Sequence, residues 1–376
     1  MPIKFKQVFS KVIFVIGSLY SLVYLCGCLT PYINPVHFYP FTFLALLFPY
    51  LLLGMVTWLV IALLAYRKKG LIFLLVTALG FQNISAVIAF HPKKVFVEQK
   101  DQNSIRVLSW NVQDFLDSQY HTDTLGNKRR DMMAFIKQMD ADVVCIQDFT
   151  EQISPAYRSC IADVIATRNY PYHFFSKDFE KQYYYAFSQY GTCIFSKHPI
   201  VDSGRVIYPG KHYPESLAYA DIKMGADTIR FYNTHLQSMY LKFLPETGAE
   251  SDFIKDEIDF LETHPKVHDR LRHFDIKHVA EVAVAKPAMN ACRYPYVFCA
   301  DLNSVPSTYV YHQLSKGLTD AFTAKGSSIL ATYDGIDPTL RIDVVLMSKQ
   351  LAPVQYYSPR FHASDHFPIV TDIRLH

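Results

Sequence analysis

The chain has 376 residues, of which 50% are hydrophobic and 19% are charged. At about 150 residues per domain this allows one large domain and a smaller region, and the composition excludes a disordered chain, a collagen-like chain and a small disulfide-stabilised protein. The net charge of +3 is uneven, because residues 1–100 carry nine Lys or Arg and one acid, whereas residues 101–376 carry 28 basic and 33 acidic residues.

The first feature in chain order is a long uncharged segment. Between Val12 and Tyr66 there is no Lys, Arg, Asp or Glu, and about 20 apolar residues suffice to cross a bilayer. Prolines at Pro31, Pro35 and Pro40 interrupt this segment and predict a loop between two helices. The predicted transmembrane helices cover residues 12–30, 42–65 and 70–90, the third being the most polar.

The distribution of cations predicts the orientation of these helices. Lys4, Lys6 and Lys11 precede the first helix and the cluster 67–69 precedes the third, whereas the loop 31–41 has no Lys or Arg. Short loops rich in Lys and Arg stay in the cytoplasm. We therefore predict a multi-pass protein of the inner or cell membrane, with a cytoplasmic N-terminus and the remainder of the chain on the non-cytoplasmic side.

The sequence divides into a membrane region at 1–92, a polar linker at 93–103 and a soluble domain at 104–376. In the soluble domain, short runs rich in Val, Ile, Tyr and Phe alternate with segments of helical periodicity, notably 128–139 and 253–284. This alternation predicts a layered α+β domain with sheets inside and helices outside.

Polar side chains follow or open the predicted strands. They are Asn111, Gln147, Asp148, His235, Asp301, Asn303, Asp343, Asp365 and His366. Each residue alone is typical of a turn or a cap. Together they predict one pocket, in which carboxylates and amides suit a hard cation such as Mg²⁺ and histidines suit proton transfer. No serine lies in a G-x-S-x-G motif and no Walker A motif is present, which disfavours a serine nucleophile and a nucleotide-driven role.

The order of these segments resembles the endonuclease/exonuclease/phosphatase superfamily, which includes nucleases, inositol-phosphate phosphatases and neutral sphingomyelinases. The similar segments, between residues 105 and 374, are WNVQDF, DVVCIQDF, YGTCIFSKHPI, YNTHLQS, CADLNSVPST, LRIDVVLMS and SDHFPIV. The resemblance implies a four-layer α/β sandwich, in which two packed β-sheets are flanked by helices. It also implies hydrolysis of a phosphoester with Mg²⁺ or Mn²⁺.

The resemblance also implies roles for individual residues. Metal ligands would be Asn111, Asp148 and Asp365; catalytic residues would be His235, Asp301, Asn303, Asp343 and His366; substrate contacts would come from Asn111, His235 and Asn303. One position departs from the family pattern, since the family usually has Glu where this chain has Asp148. The shorter side chain requires the ion to shift or to take another water, and Glu151 is a less favoured substitute ligand.

Three functions remain open at this point. A membrane-anchored, nuclease-like phosphodiesterase is the first, although the net charge of −5 over residues 101–376 lacks the basic excess of a DNA-binding surface. A lipid phosphodiesterase of sphingomyelinase type, or a phosphoinositide phosphatase, is the second, and the segment 234–238 resembles bacterial sphingomyelinases. An inactive phosphate-binding module is the third. The predicted partners are a nucleic acid or a phospholipid headgroup and the lipid bilayer, with no obligate protein partner.

Overall fold

The structure is a computed structural model, and it describes residues 3–66, 70–115, 123–153, 159–168, 170–183, 186–210, 214–239, 263–264, 266–335 and 339–376. The helices are α1 (Ile3–Leu29), α2 (Phe41–Tyr66), α3 (Gly70–Leu79), α4 (Phe81–Val87), α5 (Asp123–Met139), α6 (Cys160–Arg168), α7 (Val267–Asn290), α8 (Tyr309–Ser315) and α9 (Ala321–Lys325).

The strands of the first half of the chain are β1 (Ile88–Phe90), β2 (Ile105–Asn111), β3 (Val143–Gln152), β4 (Tyr172–Tyr183), β5 (Ala186–Ser196), β6 (Ile200–Ile207) and β7 (Ser216–Met224). The remaining strands are β8 (Asp227–His235), β9 (Tyr296–Asp301), β10 (Thr319–Asp320), β11 (Ser327–Ile329), β12 (Asp343–Met347), β13 (Leu351–Tyr357) and β14 (Ile369–Leu375).

Two six-stranded sheets form the centre of the soluble domain. Their strand orders are β10-β12-β9-β8-β7-β6 and β13-β14-β2-β3-β5-β4. Each sheet has one parallel pair, β8 with β9 and β2 with β3, among antiparallel neighbours. Strands β2 and β9 are buried along nearly their whole length, which explains why their sequences are continuous apolar runs instead of alternating patterns.

Apolar side chains from both sheets meet in a shared core that includes Val107, Cys145, Phe231 and Val297. Helices α5 and α6 pack on the outer face of the sheet containing β2, and α7 and α8 pack on the outer face of the other sheet. The predicted four-layer sandwich is confirmed. The predicted helix 128–139 lies within α5, and 253–284 overlaps α7, although its first ten residues, 253–262, lie outside the described part of the chain.

The N-terminal helices have a different surface from the soluble domain. The segments Lys11–Tyr32 and Thr42–Leu64 are long and apolar enough to cross a membrane, whereas α3 and α4 are bent by 62° and make a third span only if they count as one. Large apolar side chains such as Leu53 and Leu64 are 67% and 83% exposed. Strand β1, inside the predicted third span, pairs with β11 of the soluble domain.

Candidate active site

Strand register aligns the predicted polar residues at one edge of each sheet. In the first sheet, His235 on β8 lies opposite Asp301 on β9, which in turn lies opposite Asp343 on β12. In the second sheet, Asn111 on β2 lies opposite Gln147 on β3. Parallel neighbours end at the same edge of a sheet, so both rows lie where the chain leaves the sheets for loops.

Asp301 links the two rows. Its Oδ2 accepts a hydrogen bond from Nδ2 of Asn111 at 2.9 Å, and its Oδ1 accepts one from the backbone N–H of Asn303 at 2.9 Å. The Nε2 atoms of His235 and His366 lie 3.5 and 3.6 Å from the same Oδ2. The Asp301 side chain is 1% exposed, so this carboxylate is held by neighbours from both sheets with almost no access to bulk water.

His366 forms a buried pair with Asp343. Its Nδ1 lies 3.0 Å from Oδ2 of Asp343, and Nε1 of the buried Trp110 donates to its backbone carbonyl at 2.9 Å. Burial alone would lower the pKa of the His366 imidazole, but the carboxylates of Asp343 and Asp301 outweigh it and raise that pKa to about 10. His366 is therefore an imidazolium at neutral pH, with Nε2 on the side of Asp301.

His235 lies between two polar partners. Its Nδ1 is 3.2 Å from Oε2 of Glu215, and its Nε2 is 3.1 Å from Nδ2 of Asn303. The same Nδ2 donates to the carbonyl of Leu236 at 2.8 Å, which fixes the orientation of the amide. Nε2 of His235 is thus close both to the Asn303 amide and, at 3.5 Å, to Oδ2 of Asp301.

Asp148 and Asp365 are more accessible than Asp301 and Asp343. A register shift in β3 between Ile146 and Phe149 puts Asp148 at φ 49°, a backbone region that L-residues rarely adopt and that often marks functional sites. Asp148 is half-buried and the Asp365 side chain is 27% exposed. We call these two the open carboxylates, and Asp301 and Asp343 the closed carboxylates.

The charge around Asp148 fits a divalent cation. Burial raises the pKa of Asp148; the histidines His235 and His366 oppose this, whereas Asp365 and Asp301 add to it. A Mg²⁺ or Mn²⁺ ion would relieve this repulsion among carboxylates, and carboxylate oxygens are its preferred ligands. The side-chain Oδ1 of Asn111, which accepts from the backbone N–H of Gln113 at 3.0 Å, is a neutral oxygen that can also bind such a cation.

A second possible metal group consists of the closed carboxylates and His366. Ligand atoms of Asp301, Asp343 and His366 lie within 4.8 Å of one another. However, the side chains of Asp301 and Asp343 are only 1% and 4% exposed, and Nδ1 of His366 is already paired with Asp343. The open carboxylates thus fit a hard cation better than this buried group does.

Two residues close in sequence to the predicted site have partners away from the pocket. Oε2 of Glu151, the less favoured substitute ligand, accepts a hydrogen bond from the backbone N–H of Ile161 at 2.8 Å at the start of α6. Arg341, two residues before Asp343, pairs with Asp320 at 2.9 Å, while Asp343 pairs with His366.

Two residues of the pocket, Glu215 and Tyr333, were not predicted, whereas Gln147 was predicted for the pocket without an assigned role. Gln147 is fully buried and donates from Nε2 to Ser109 and Asn233, at 3.0 and 2.7 Å. Its position at the end of an apolar run was the only available signal. Glu215 contacts His235, and the ring of Tyr333 lies 5.0 Å from that of His366. Neither Glu215 nor Tyr333 lies in a recognisable motif.

Comparison with known families agrees with this arrangement. A family model described as the endonuclease/exonuclease/phosphatase family matches residues 108–366. The chain belongs to this family. A second model, described as a domain of unknown function (DUF8431), matches residues 10–87. No match to this chain is found among curated proteins.

Solved structures of the family share the fold. An endonuclease/exonuclease/phosphatase from Beutenbergia cavernae is similar at 18% identity and TM-score 0.51, over 73% of this chain and 72% of that one. A protein of the same family from Bacteroides vulgatus has 14% identity and TM-score 0.51, over 73% and 100%. The human Nocturnin catalytic domain, solved with a bound sulfate, has 15% identity and TM-score 0.50, over 73% and 95%. At these identities the similarity concerns the fold alone.

Proposed function

We propose that this protein is a membrane-anchored, divalent-metal-dependent phosphodiesterase in which water attacks the phosphorus directly. Membership of a family of phosphoester hydrolases provides the reaction class. The observation that carries the proposal is the buried, doubly hydrogen-bonded carboxylate of Asp301, which lies within 4 Å of two histidines and beside the open carboxylates.

The proposed division of labour follows from the contacts of each group. Asn111, Asp148 and Asp365 would hold the metal, which when bound supplies positive charge to the phosphate oxygens. Asp301, fixed by Asn111 and the backbone of Asn303, accepts a proton from the attacking water.

The two histidines face the phosphate in this proposal. The His366 imidazolium, held by Asp343, hydrogen-bonds an oxygen on which negative charge increases in the transition state. His235 would lie beside a second oxygen of the phosphate, with its ring positioned by Asn303 and Glu215. No covalent intermediate with the protein is needed.

We propose that α1, α2 and the bent pair of α3 and α4 cross the membrane, so that three crossings put the soluble domain on the non-cytoplasmic side. The exposed apolar side chains of α1 and α2 would be unfavourable in water over so large a surface. The Lys residues at the start of α1 and the cluster 67–69 support a cytoplasmic position for those ends.

Hydrolysis of bis-p-nitrophenyl phosphate by the full chain in detergent tests the catalytic proposal. We expect activity with Mg²⁺ or Mn²⁺ that is lost with EDTA and lost in Asp301→Asn. The matched control is Asp227→Asn, because Asp227 is an exposed carboxylate at the start of β8, and it should retain full activity. Equal rates for the three proteins, or activity in EDTA, would contradict the proposal, and absence of hydrolysis in all of them would favour the inactive binding module.

A further inference from the structure

The loop that follows Asn303 is attached to the membrane region. Oγ1 of Thr30, just after α1, donates to the carbonyl of Ser307 at 2.6 Å, and Oγ of Ser307 donates to the carbonyl of Ala45 on α2 at 2.7 Å. All three residues are buried. Because Ser307 lies only four residues after Asn303, these bonds fix one side of the pocket against the beginning of α2.

A second connection runs from His366 to α2 through apolar side chains. The ring of Tyr333, which lies 5.0 Å from the His366 ring, packs against a small cluster that includes Val305 and Leu340. Leu46 of α2 packs against the same cluster. Tyr333 and this cluster thus connect His366 to α2 through packed side chains.

The beginning of α2 has the composition of a membrane interface. The apolar span starts at Thr42. Just before it, Tyr39 donates to the backbone carbonyl of His268 at 2.9 Å, and the guanidinium of Arg272 lies 6.0 Å from the Tyr39 ring. Aromatic and cationic side chains concentrate at the level of lipid headgroups. Since Ser307 contacts the same end of α2, the proposed span puts the loop after Asn303 near headgroup level.

We propose that the substrate phosphodiester belongs to a lipid of the same bilayer that holds α1 and α2. This inference rests on the proposed function, and it adds the substrate class. A phosphodiester fixed at headgroup depth needs no diffusion from solution, because the membrane helices hold the site at the depth of the scissile phosphate.

The charge of the soluble domain favours a lipid over a nucleic acid. Residues 101–376 have 28 basic and 33 acidic residues, whereas a nucleic-acid phosphate backbone requires a basic surface along its path. A single lipid headgroup presents one phosphodiester, which the metal and the two histidines would neutralise inside the pocket.

The reaction on such a lipid balances as an ordinary hydrolysis. The water oxygen forms the new bond to phosphorus, and the bond from phosphorus to one ester oxygen breaks with its electron pair on that oxygen. One water proton ends on the leaving alcohol, after passing to Asp301 as base, and the other remains with the phosphate monoester or is released to solvent. No oxidant, reductant or second substrate is required.

The test compares lipids in the same bilayer with lipids in a separate bilayer. The full chain is reconstituted in nanodiscs containing phosphatidylglycerol, phosphatidylethanolamine and sphingomyelin, or in nanodiscs of phosphatidylcholine mixed with separate vesicles of those three lipids at equal total concentration. Lipid loss is measured by mass spectrometry, with Asp301→Asn as the inactive reference. Bis-p-nitrophenyl phosphate and plasmid DNA are assayed in parallel on the same samples.

We expect at least tenfold faster loss of one of the three lipids in the same disc than in separate vesicles, and no DNA cleavage. Hydrolysis of bis-p-nitrophenyl phosphate without loss of any lipid would overturn the inference while the proposed function stands. Equal rates in the two arrangements, or cleavage of DNA alone, would overturn it as well. Absence of hydrolysis of every substrate would remove the proposed function and this inference together.

Discussion

The open and the closed carboxylates of the pocket differ in what their surroundings allow them to do. Side chains of the closed pair, Asp301 and Asp343, are 1% and 4% exposed, and both pair with His366 or lie near it. The open pair, Asp148 and Asp365, lies at the accessible side, and Asp365 remains 4.0 Å from His366. Four aspartates in one pocket therefore have different surroundings, and we expect different functions for the two pairs.

Burial, more than residue type, distinguishes the roles that we propose for the two pairs. A buried carboxylate with fixed hydrogen-bond partners keeps one direction, which suits proton transfer and the support of an imidazolium. A more accessible carboxylate can exchange water for a cation. We therefore expect substitutions in the closed pair to affect kcat and substitutions in the open pair to affect metal affinity.

Asp343→Asn should have the largest effect. The carboxylate of Asp343 is the main group that raises the pKa of His366 against the effect of burial, so its removal lowers that pKa and depletes the imidazolium as pH rises. We expect kcat to fall about 10³-fold at neutral pH, with the alkaline limb of the pH–rate profile moving to lower pH. The pH dependence of kcat from pH 6 to 10.5 measures this.

The metal affinity of Asp343→Asn serves as its control. Because Asp343 belongs to the closed pair, the concentration of Mg²⁺ or Mn²⁺ that gives half-maximal activity should stay within about threefold of the wild-type value. An unchanged alkaline limb would show that His366 does not act as an imidazolium.

Substitutions at Asp148 test the open pair. Asp148→Asn removes a charged oxygen ligand, and we expect about a 10- to 100-fold loss of metal affinity, the range also seen for outer-shell partners, with a smaller change in kcat at saturating metal. Asp148→Glu restores the residue usual in the family and should bind metal at least as well as the wild type. Titration of the activity with Mn²⁺ measures the metal affinity of each variant. Isothermal titration calorimetry measures it independently, with each substitution combined with Asp301→Asn. A loss confined to kcat would mean that Asp148 belongs functionally to the closed pair.

The smallest effect is expected at a carboxylate that belongs to neither pair. Glu151 lies three residues after Asp148, but its Oε2 accepts from Ile161 at the start of α6. Glu151→Ala should lower stability by about 1 kcal/mol, as loss of a helix-capping acceptor does, with kcat and metal affinity unchanged within about twofold. Thermal unfolding in detergent measures the stability, and Glu151→Gln, which keeps an acceptor oxygen, is the matched control. A tenfold loss of metal affinity in either variant would show that Glu151 contributes to metal binding together with the open carboxylates.

The sequence predicted the pocket to the extent that its residues stand next to strands. Asn111, His235 and Asp301 could be predicted because each ends an apolar run, and the ends of parallel strands meet at one edge of a sheet. Their proposed roles stay predictions. Glu215 and Tyr333 could not be predicted, because no local pattern distinguishes a residue that meets a histidine only after distant segments have packed.

Asp148, which replaces the Glu usual at this position of the family pattern, shows the same limit of prediction from sequence. The sequence showed that the side chain is one methylene shorter than the family usually has, but it could not show that the register shift in β3 and the φ of 49° at Asp148 accompany that change. Backbone strain at one residue depends on the pairing of β3 with β5 on one side and β2 on the other, which is a property of the whole sheet.

The amino-acid sequence was enough to predict the alternation of strands and helices, the apolar N-terminal helices and the chemical types of the pocket residues, because hydropathy, periodicity and strand ends are local properties of the chain. Which carboxylates are open and which are closed depends on the folded chain. The tertiary structure also places Thr30 and α2 against the loop after Asn303. The physical reason is that hydrogen bonds and burial depend on which residues meet in space, and these partners lie up to 277 residues apart in the chain.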